Sequence, residues 1–314
     1  MHEAAISAAL AEIGDTSPIR ERAVIGGGSI SQAVRLQTAR GAYLLKIGGR
    51  GLPGFFAAEA RGLQLLAGTG AVRVPAVLAV HDVETTAADQ LPTTQAPAVS
   101  RQSSVVKTGF ILLEWLDAPP HASRTHAGEL LGTALAAMHR TTAPTYGLDH
   151  DNYIGATPQL NAPHTSWLAF FRDQRLRAQA ACAQHNGLLP ATRAARIERL
   201  LTRLGEWLDD AQVQPSLLHG DLWGGNFIVG PGGAPALIDP AAYYGDREAD
   251  LAMTRLFGGF PPGFYAAYQA AWPLPPGWQE RVELYNLYHL LNHLNLFGEG
   301  YSAEVDAILQ RYAG

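Results

Sequence analysis

Apolar and polar positions change their rhythm partway along the chain. Ile6, Leu10 and Ile13 recur at helical spacing and predict a short amphipathic helix over 2–13, stopped by Gly14. Val24-Ile25 leads into a glycine turn. Ala33-Val34-Arg35-Leu36-Gln37 then alternates as a strand does, and 42–47 repeats the pattern after the Arg40-Gly41 turn, giving a hairpin with a glycine-rich tip. Phe56, Leu63, Leu65 and Leu66 mark one face of a helix over 55–67. Strands follow from Val74 to Val80 and over 109–116, where Gly-Phe-Ile-Leu-Leu-Glu-Trp-Leu reads as buried. Between them, 84–104 is rich in Thr, Ala, Gln, Pro and Ser and predicts an extended loop. Asp117-Ala118-Pro119-Pro120 breaks the last strand and marks the expected domain boundary. Beyond it, 3.6-residue periodicity dominates. Helices are expected over 126–141 with Thr125 as cap, then over 166–185, 191–210, 246–258, 262–271, 277–297 and 302–312. A short strand-loop-strand, Ser216–Gly230 followed by Ala236–Pro240, interrupts the series. The expected architecture is α+β: a β-rich lobe, 1–116, and a helical lobe, 117–314.

Composition narrows the class. The 314 residues are 47% hydrophobic and 16% charged, enough for a large core and too apolar for wholesale disorder. A net charge of -5 argues against a nucleic-acid partner, whose phosphates call for a basic surface. No apolar run reaches the ~18 residues of a membrane span. The acidic start, with no basic stretch, does not resemble a signal peptide, so a cytoplasmic location is expected. Cys182 is the only cysteine, which excludes an internal disulfide framework and a multi-cysteine zinc site. Of the 23 basic residues only Lys46 and Lys107 are lysines. A lysine retained in so arginine-biased a chain fits a place that needs a compact point charge. Lys107 carries no such context; Lys46 does.

Three constellations carry chemistry. Gly26-Gly27-Gly28-Ser29 sits between strands, where glycines let backbone N–H groups approach an anion. No Gly-Lys-Ser/Thr follows and no helix starts there, so it is a flap over a nucleotide rather than a Walker loop. Lys46 lies on the next strand and Glu59 in the next helix. A buried lysine needs a carboxylate partner, and such a pair can present an ammonium to phosphates. The most specific signal is His219-Gly220-Asp221-Leu222-Trp223-Gly224-Gly225-Asn226, followed by Ile238-Asp239-Pro240. Phosphoryl transfer needs a carboxylate to orient a hydroxyl and hard oxygen ligands for Mg²⁺. Asp-x4-Asn with a later Asp at hairpin spacing supplies that set.

These motifs resemble the fructosamine kinase, or ketosamine-3-kinase, family, within the aminoglycoside-phosphotransferase-like branch of the protein-kinase-like fold. The likeness covers nearly the whole chain. It rests on GGGSIS, LLKI, FFAAEARGL, DNYIGATPQLN at 151–161, SWLAFFRDQRL at 166–176, HGDLWGGN at 219–226 and IDPAAYYGDREADLAM at 238–253. The resemblance implies a bilobal fold using ATP and Mg²⁺. It makes Asp221 the catalytic base, Asn226 and Asp239 the metal ligands, and Lys46, partnered by Glu59, the clamp on the α/β-phosphates. Glu114-Trp115-Leu116 becomes a hinge whose backbone meets adenine. His219 is a structural hydrogen-bonder, and Asp250 bonds the backbone of the catalytic loop. Asp246 stands where the family often has His, and the sequence gives no account of it. Pro240 after Asp239 argues against a Phe-flip switch.

The remaining features have plainer readings. His289 and His293 are one helical turn apart but lack the Glu of a zincin, and read as packing or pocket residues. Cys182 lies far in sequence from the glycine loop. Trp272, Trp278, Tyr285 and Tyr288 read as core. The expected activity is phosphoryl transfer from ATP to the 3-hydroxyl of a ketosamine, free or protein-bound, a deglycation repair step. The alternatives are a kinase for another hydroxyl (aminoglycoside, choline or homoserine type) and a catalytically silent nucleotide-binding module. Trp223, His293 and the 151–161 block are the expected acceptor determinants, and nothing in the sequence fixes the oligomeric state.

Overall fold

The computed structural model describes residues 2–26, 31–49, 51–83, 108–117, 119 and 123–314. The chain divides into two compact units: Met1–Arg61 with Pro75–Leu116, and Gly62–Val74 with Asp117–Gly314.

The first unit is built on a five-stranded antiparallel sheet in the order β1-β2-β3-β5-β4. Its strands are β1 (Glu21–Ile25), β2 (Gln32–Gln37), β3 (Ala42–Gly48), β4 (Val77–His81) and β5 (Gly109–Glu114). The glycine-rich segment therefore joins β1 to β2, and the Arg40-Gly41 turn joins β2 to β3. The sequence places the glycine-rich segment between two strands, and β1 is the first of them; it begins ahead of Val24-Ile25 because Glu21 and Arg22 carry no apolar signal. Helix α1 (Glu3–Glu12) lays Ala5, Ile6, Ala9 and Leu10 on one sheet face, against Val34, Leu36, Leu45, Ile47, Ala79, Phe110 and Leu112. Alternation explains this face: on β2, Val34 and Leu36 point to α1 because strand side chains alternate sides. Helix α2 runs Phe55–Gly68, and its first turns belong to this unit.

The second unit is mainly helical. It holds α3 (Arg124–His139), α4 (Trp167–Phe170), α5 (Ala178–His185), α6 (Ala191–Arg203), α7 (Arg247–Leu256), α8 (Pro262–Ala271), α9 (Trp278–Phe297) and α10 (Ser302–Ala313). Ser123, not Thr125, caps α3, its side chain accepting from His126 N–H. The expected helix over 166–185 is one rod with a seven-residue π stretch, Phe171–Arg177, between α4 and α5. Such a π stretch is rare and often marks a function. The block at 151–161, read as a motif without a structure, forms the hairpin β6 (Asn152–Ile154) and β7 (Thr157–Gln159). Short strands β8 (Ser216–Leu218), β9 (Phe227–Val229), β10 (Pro235–Leu237) and β11 (Tyr243–Gly245) pair as β9–β10 and β8–β11. One core lies among α6, α9, α10 and the π-containing rod; another joins α3, α7 and α8. Among the described residues, no helix is long and apolar enough to cross a membrane.

Candidate active site

In the first unit, Lys46 is buried in the middle of β3, opposite Ala33 of β2 and Ile111 of β5. Its Nζ lies 2.7 Å from Glu59 Oε1. Glu59 is set in register by a contact the sequence did not reveal. The Asp82 carboxylate accepts from the N–H groups of Phe56 and Ala57, each at 2.9 Å, and so caps α2. Glu114 ends β5, and its N–H is committed within the unit to the Ala76 carbonyl at 2.9 Å. Arg35 lies over the Trp115 ring and Leu116 is buried. Gly26 follows β1 with open space where a side chain would stand. Gly27, Gly28 and Ser29 lie outside the described residues, as do Lys107 and the 84–104 loop.

The second unit brings Asp221, Asn226 and Asp239 into one loop system. After β8, residues 219–226 loop out before β9. Asn226 Nδ2 donates to the Asp221 carbonyl at 2.8 Å and to Asp221 Oδ2 at 3.2 Å. Both bonds use the amide NH₂, so neither takes up the amide oxygen. Asp239 follows β10. It is the one non-glycine among the described residues with positive φ, at 57°. Such strain costs ~1–3 kcal/mol and persists only where the surroundings enforce it. Backbone bonds stitch the segment to the loop: Ile238 N–H to the Asn226 carbonyl at 3.1 Å, and Ala241 N–H to the His219 carbonyl at 2.9 Å. Burial, and next the charge of Asp239, push the Asp221 carboxyl up to about 7, with Asn226 pulling the other way.

The loop is anchored from below. Asp250 on α7 accepts from His219 N–H at 2.7 Å and Gly220 N–H at 2.9 Å, and from His139 Nε2–H at 3.1 Å. Tyr268 donates to His139 Nδ1, and Arg247 donates to the Tyr268 hydroxyl. Burial opposes the Asp250 charge, but these donors outweigh it and its pKa is lowered. The backbone-bonding role expected of Asp250 is the one observed. His219 Nε2–H donates to the Ile238 carbonyl while Nδ1 accepts from Asp221 N–H, which fixes one neutral tautomer. Burial lowers its pKa, in keeping with a structural rather than an acid role. Gly220 sits at φ 81°, where an added Cβ would come within 2.0 Å of the Ala241 carbonyl oxygen. No other residue fits there.

Asp246, unexplained in the sequence, caps α7 through Glu248 N–H and accepts the Tyr285 hydroxyl. Arg124 is a site residue that sequence reasoning missed. Its guanidinium donates to the carbonyls of Gly224 (2.6 Å) and Phe227 (2.8 Å), bracketing Asn226. The signal was present: an arginine in the first turn of a helix opposes the helix dipole and calls for another reason to be there. Within the 151–161 block, Asn152, Gln159 and Asn161 are buried, while Asp151, Pro158 and Leu160 are exposed. Trp223 is 37% exposed, its ring meeting Phe257, which in turn meets His293. Among the described residues no three His, Cys, Asp or Glu side chains cluster as a metal cage. A carboxylate plus an amide oxygen, with phosphates completing the shell, is how Mg²⁺ is usually held, so Asp239 and Asn226 fit that cation.

A family model described as fructosamine kinase matches residues 1–313. A protein of Lactiplantibacillus plantarum named "Probable ketoamine kinase" is 40% identical over 288 residues, covering 92% of each chain. One of the same name from Synechocystis is 38% identical over 298 residues, covering 93% of this chain and 90% of its own. Among solved structures, one from Thermobifida fusca bearing the fructosamine-3-kinase name superposes with a TM-score of 0.79 at 30% identity, over 97% of this chain and 96% of that one. The aminoglycoside phosphotransferase APH(4)-Ia shares the fold alone, with a TM-score of 0.62 at 16% identity over the full length of both chains.

Proposed function

The chain belongs to the fructosamine kinase family and is a phosphotransferase of the protein-kinase-like fold, and on that premise we propose that it moves the γ-phosphoryl group of ATP to the 3-hydroxyl of a ketosamine. The observation that carries this reading is the Asp221–Asn226–Asp239 arrangement in one strained, backbone-stitched loop system. Relatives named for ketoamine kinase activity support the acceptor class. Structures of the distant phosphotransferase with ADP or AMP-PNP support ATP as donor.

Each residue has a task. Lys46, steadied by Glu59, contributes a point charge to the α/β-phosphates. The glycine-rich segment from Gly26 to Ser29 covers the nucleotide, and backbone groups of 114–116 meet adenine. Asp239 and Asn226 would hold Mg²⁺, which would supply positive charge to neutralise the phosphates. Asp221 accepts a hydrogen bond from the attacking hydroxyl, orients it, and takes its proton as the new O–P bond forms and ADP departs. Asp221 is a buried carboxylate steadied by the Asn226 amide, a placement that suits it to accept from a bound hydroxyl. The 3-phosphate formed is a good leaving group for β-elimination once the adjacent ketone enolises. Loss of phosphate leaves the nitrogen on C1 as an imine, and water then hydrolyses it to release the amine and a 3-deoxy dicarbonyl sugar, which makes the reaction a deglycation repair step.

The test is a kinase assay with ribulose-lysine, fructose-lysine and an aminoglycoside in parallel, with phosphorus NMR locating the new ester. Phosphorylation of a ketosamine at C3 is the expected result. Turnover of the aminoglycoside alone, or an ester at another carbon, overturns the reading.

A further inference from the structure

The hairpin β6–β7 has no place in the reaction as described, yet it concentrates buried polar side chains. Burying an amide costs free energy unless every donor and acceptor is matched. Here the matching runs in one direction. Arg175, fully buried on the π stretch, stacks its guanidinium 3.9 Å from the centre of the Tyr243 ring and donates to Asn161 Oδ1 at 2.8 Å. Asn161 Nδ2 donates to Asn152 Oδ1 at 2.9 Å, and Asn152 Nδ2 donates to the Ala242 carbonyl at 2.9 Å. A second branch starts at Tyr288, whose hydroxyl donates to Gln159 Oε1 at 2.7 Å. Gln159 Nε2 then donates to Asn152 Oδ1 at 2.8 Å and to the Ala241 carbonyl at 3.0 Å.

Arginine has no acceptor, so Asn161 must turn its oxygen to Arg175, and that choice fixes the orientation of each amide after it. Hydrogen bonds aligned in this way polarise and reinforce one another. Both branches end on consecutive carbonyls two and three residues beyond Asp239. The Ala241 carbonyl is also the atom that excludes a side chain from Gly220. A strained φ at Asp239 needs enforcement, and on its C-terminal side the Ala241 N–H bond to the His219 carbonyl holds the segment before Tyr243 pairs with Leu218 in β8. The carbonyls of Ala241 and Ala242 take their donors from the side-chain amides of Gln159 and Asn152.

We propose that Asn152 and Gln159 are positioning residues that set the 239–242 segment, so that Asp239 receives the cation in the correct geometry. This rests on the reading of Asp239 as a metal ligand. It makes the 151–161 block a support for metal binding and not a lining for the acceptor. Groups that orient a metal ligand are typically worth ~10–100-fold in metal affinity.

The test compares wild type with Gln159→Met, Tyr288→Phe, Arg193→Met and Asp239→Asn. Binding of Mn²⁺ with AMP-PNP is followed by the loss of the free Mn²⁺ EPR signal. Thermal unfolding and the acceptor KM are measured alongside. Gln159→Met keeps length and removes the donors to Ala241 and Asn152; it is expected to weaken Mn²⁺ binding about tenfold and to leave the acceptor KM within about twofold. Tyr288→Phe removes only the hydroxyl, which makes it the usable variant if Gln159→Met does not fold; a smaller loss in the same direction is expected. Arg193→Met breaks the pair between α6 and the half-exposed Asp306 of α10, outside this network's hydrogen bonds, and should lower stability without changing Mn²⁺ binding. Unchanged Mn²⁺ binding in Gln159→Met, or in Tyr288→Phe where that variant stands in, overturns the proposal, as does a rise confined to the acceptor KM. Unchanged Mn²⁺ binding in Asp239→Asn overturns instead the assignment of Asp239 as ligand.

Discussion

The two units hold their chemical groups in contrasting ways. In the β-rich unit, Lys46 in a strand is steadied by Glu59 in a helix, the two in a short ion pair. In the helical unit, Asp221 sits in a loop whose backbone is bonded by Asp250, roofed by His219 and bracketed by Arg124. A strand supplies rigidity through its ladder, so the first unit needs little else to aim a side chain. A loop has no ladder, and the second unit replaces it with buried polar groups. Damage to the two arrangements should therefore show differently: as lost ligand affinity in the first, and as lost stability as well in the second.

The largest effect is expected from Asp250→Ala. It strips an acceptor from His219 N–H, Gly220 N–H and His139 Nε2–H, all buried. Leaving such donors unmatched costs ~1–3 kcal/mol each, so urea unfolding should show a loss of about 4 kcal/mol after partial relaxation. A loss below about 1 kcal/mol would mean the network is ornamental.

Next comes acid sensitivity. Burial holds His289 down to about 3, and also lowers His139 and His219. A histidine lowered in the fold contributes stability above its unfolded value near 6.5, and that stability drains away as pH falls through 6.5 toward the folded value. Asp221 and Asp246 are raised by burial and shift stability the opposite way, so the comparison needs a variant. Relative to His289→Asn, the wild-type protein should lose about 2 kcal/mol between pH 7.5 and pH 5. In the β-rich unit, the hydrogen bonds of Ser17 and Thr38 hold Asp15 below the ordinary carboxylate range, so its contribution is lost only in stronger acid, below about 3.8. Equal pH dependence of wild type and His289→Asn would contradict the buried-neutral assignment.

The smallest change in stability is expected in the β-rich unit. Replacing a buried ion pair by apolar residues of similar size is often neutral. Lys46→Met with Glu59→Met should unfold within about 1 kcal/mol of wild type while losing MgATP affinity in calorimetry. Lys46→Arg alone should not restore that affinity, because a planar fork does not replace a point charge in a strand site. Near-native affinity in Lys46→Arg would remove the phosphate-clamp role.

This contrast also decides what the sequence reveals. Lys46 and Glu59 were legible because a strand and a helix announce themselves by periodicity, and a lysine among arginines stands out. His219–Asn226 and Asp239 were legible as a spacing of residue types. The supports were not. Asp82 capping α2, Arg124 on the loop carbonyls, and the inward turn of Asn152, Gln159 and Asn161 depend on long-range contacts between side chains and backbone. Polar residues in a short, turn-rich segment read as exposed, and only the packing shows that they are buried. Only the start of β1 was hidden, because its first two residues, Glu21 and Arg22, are charged and exposed. The π stretch leaves no mark in hydrophobic spacing.

The most direct test is Asp221→Asn, which keeps the shape and removes the charge and the proton acceptor. Turnover of a ketosamine with MgATP should fall ~10²–10⁴-fold. ATP affinity should stay near native, and thermal stability above pH 7 should be equal or higher, since a carboxylate raised by burial is a charge the fold holds at a cost. Retention of more than about a tenth of wild-type turnover would contradict the account, because general-base catalysis is worth more than that.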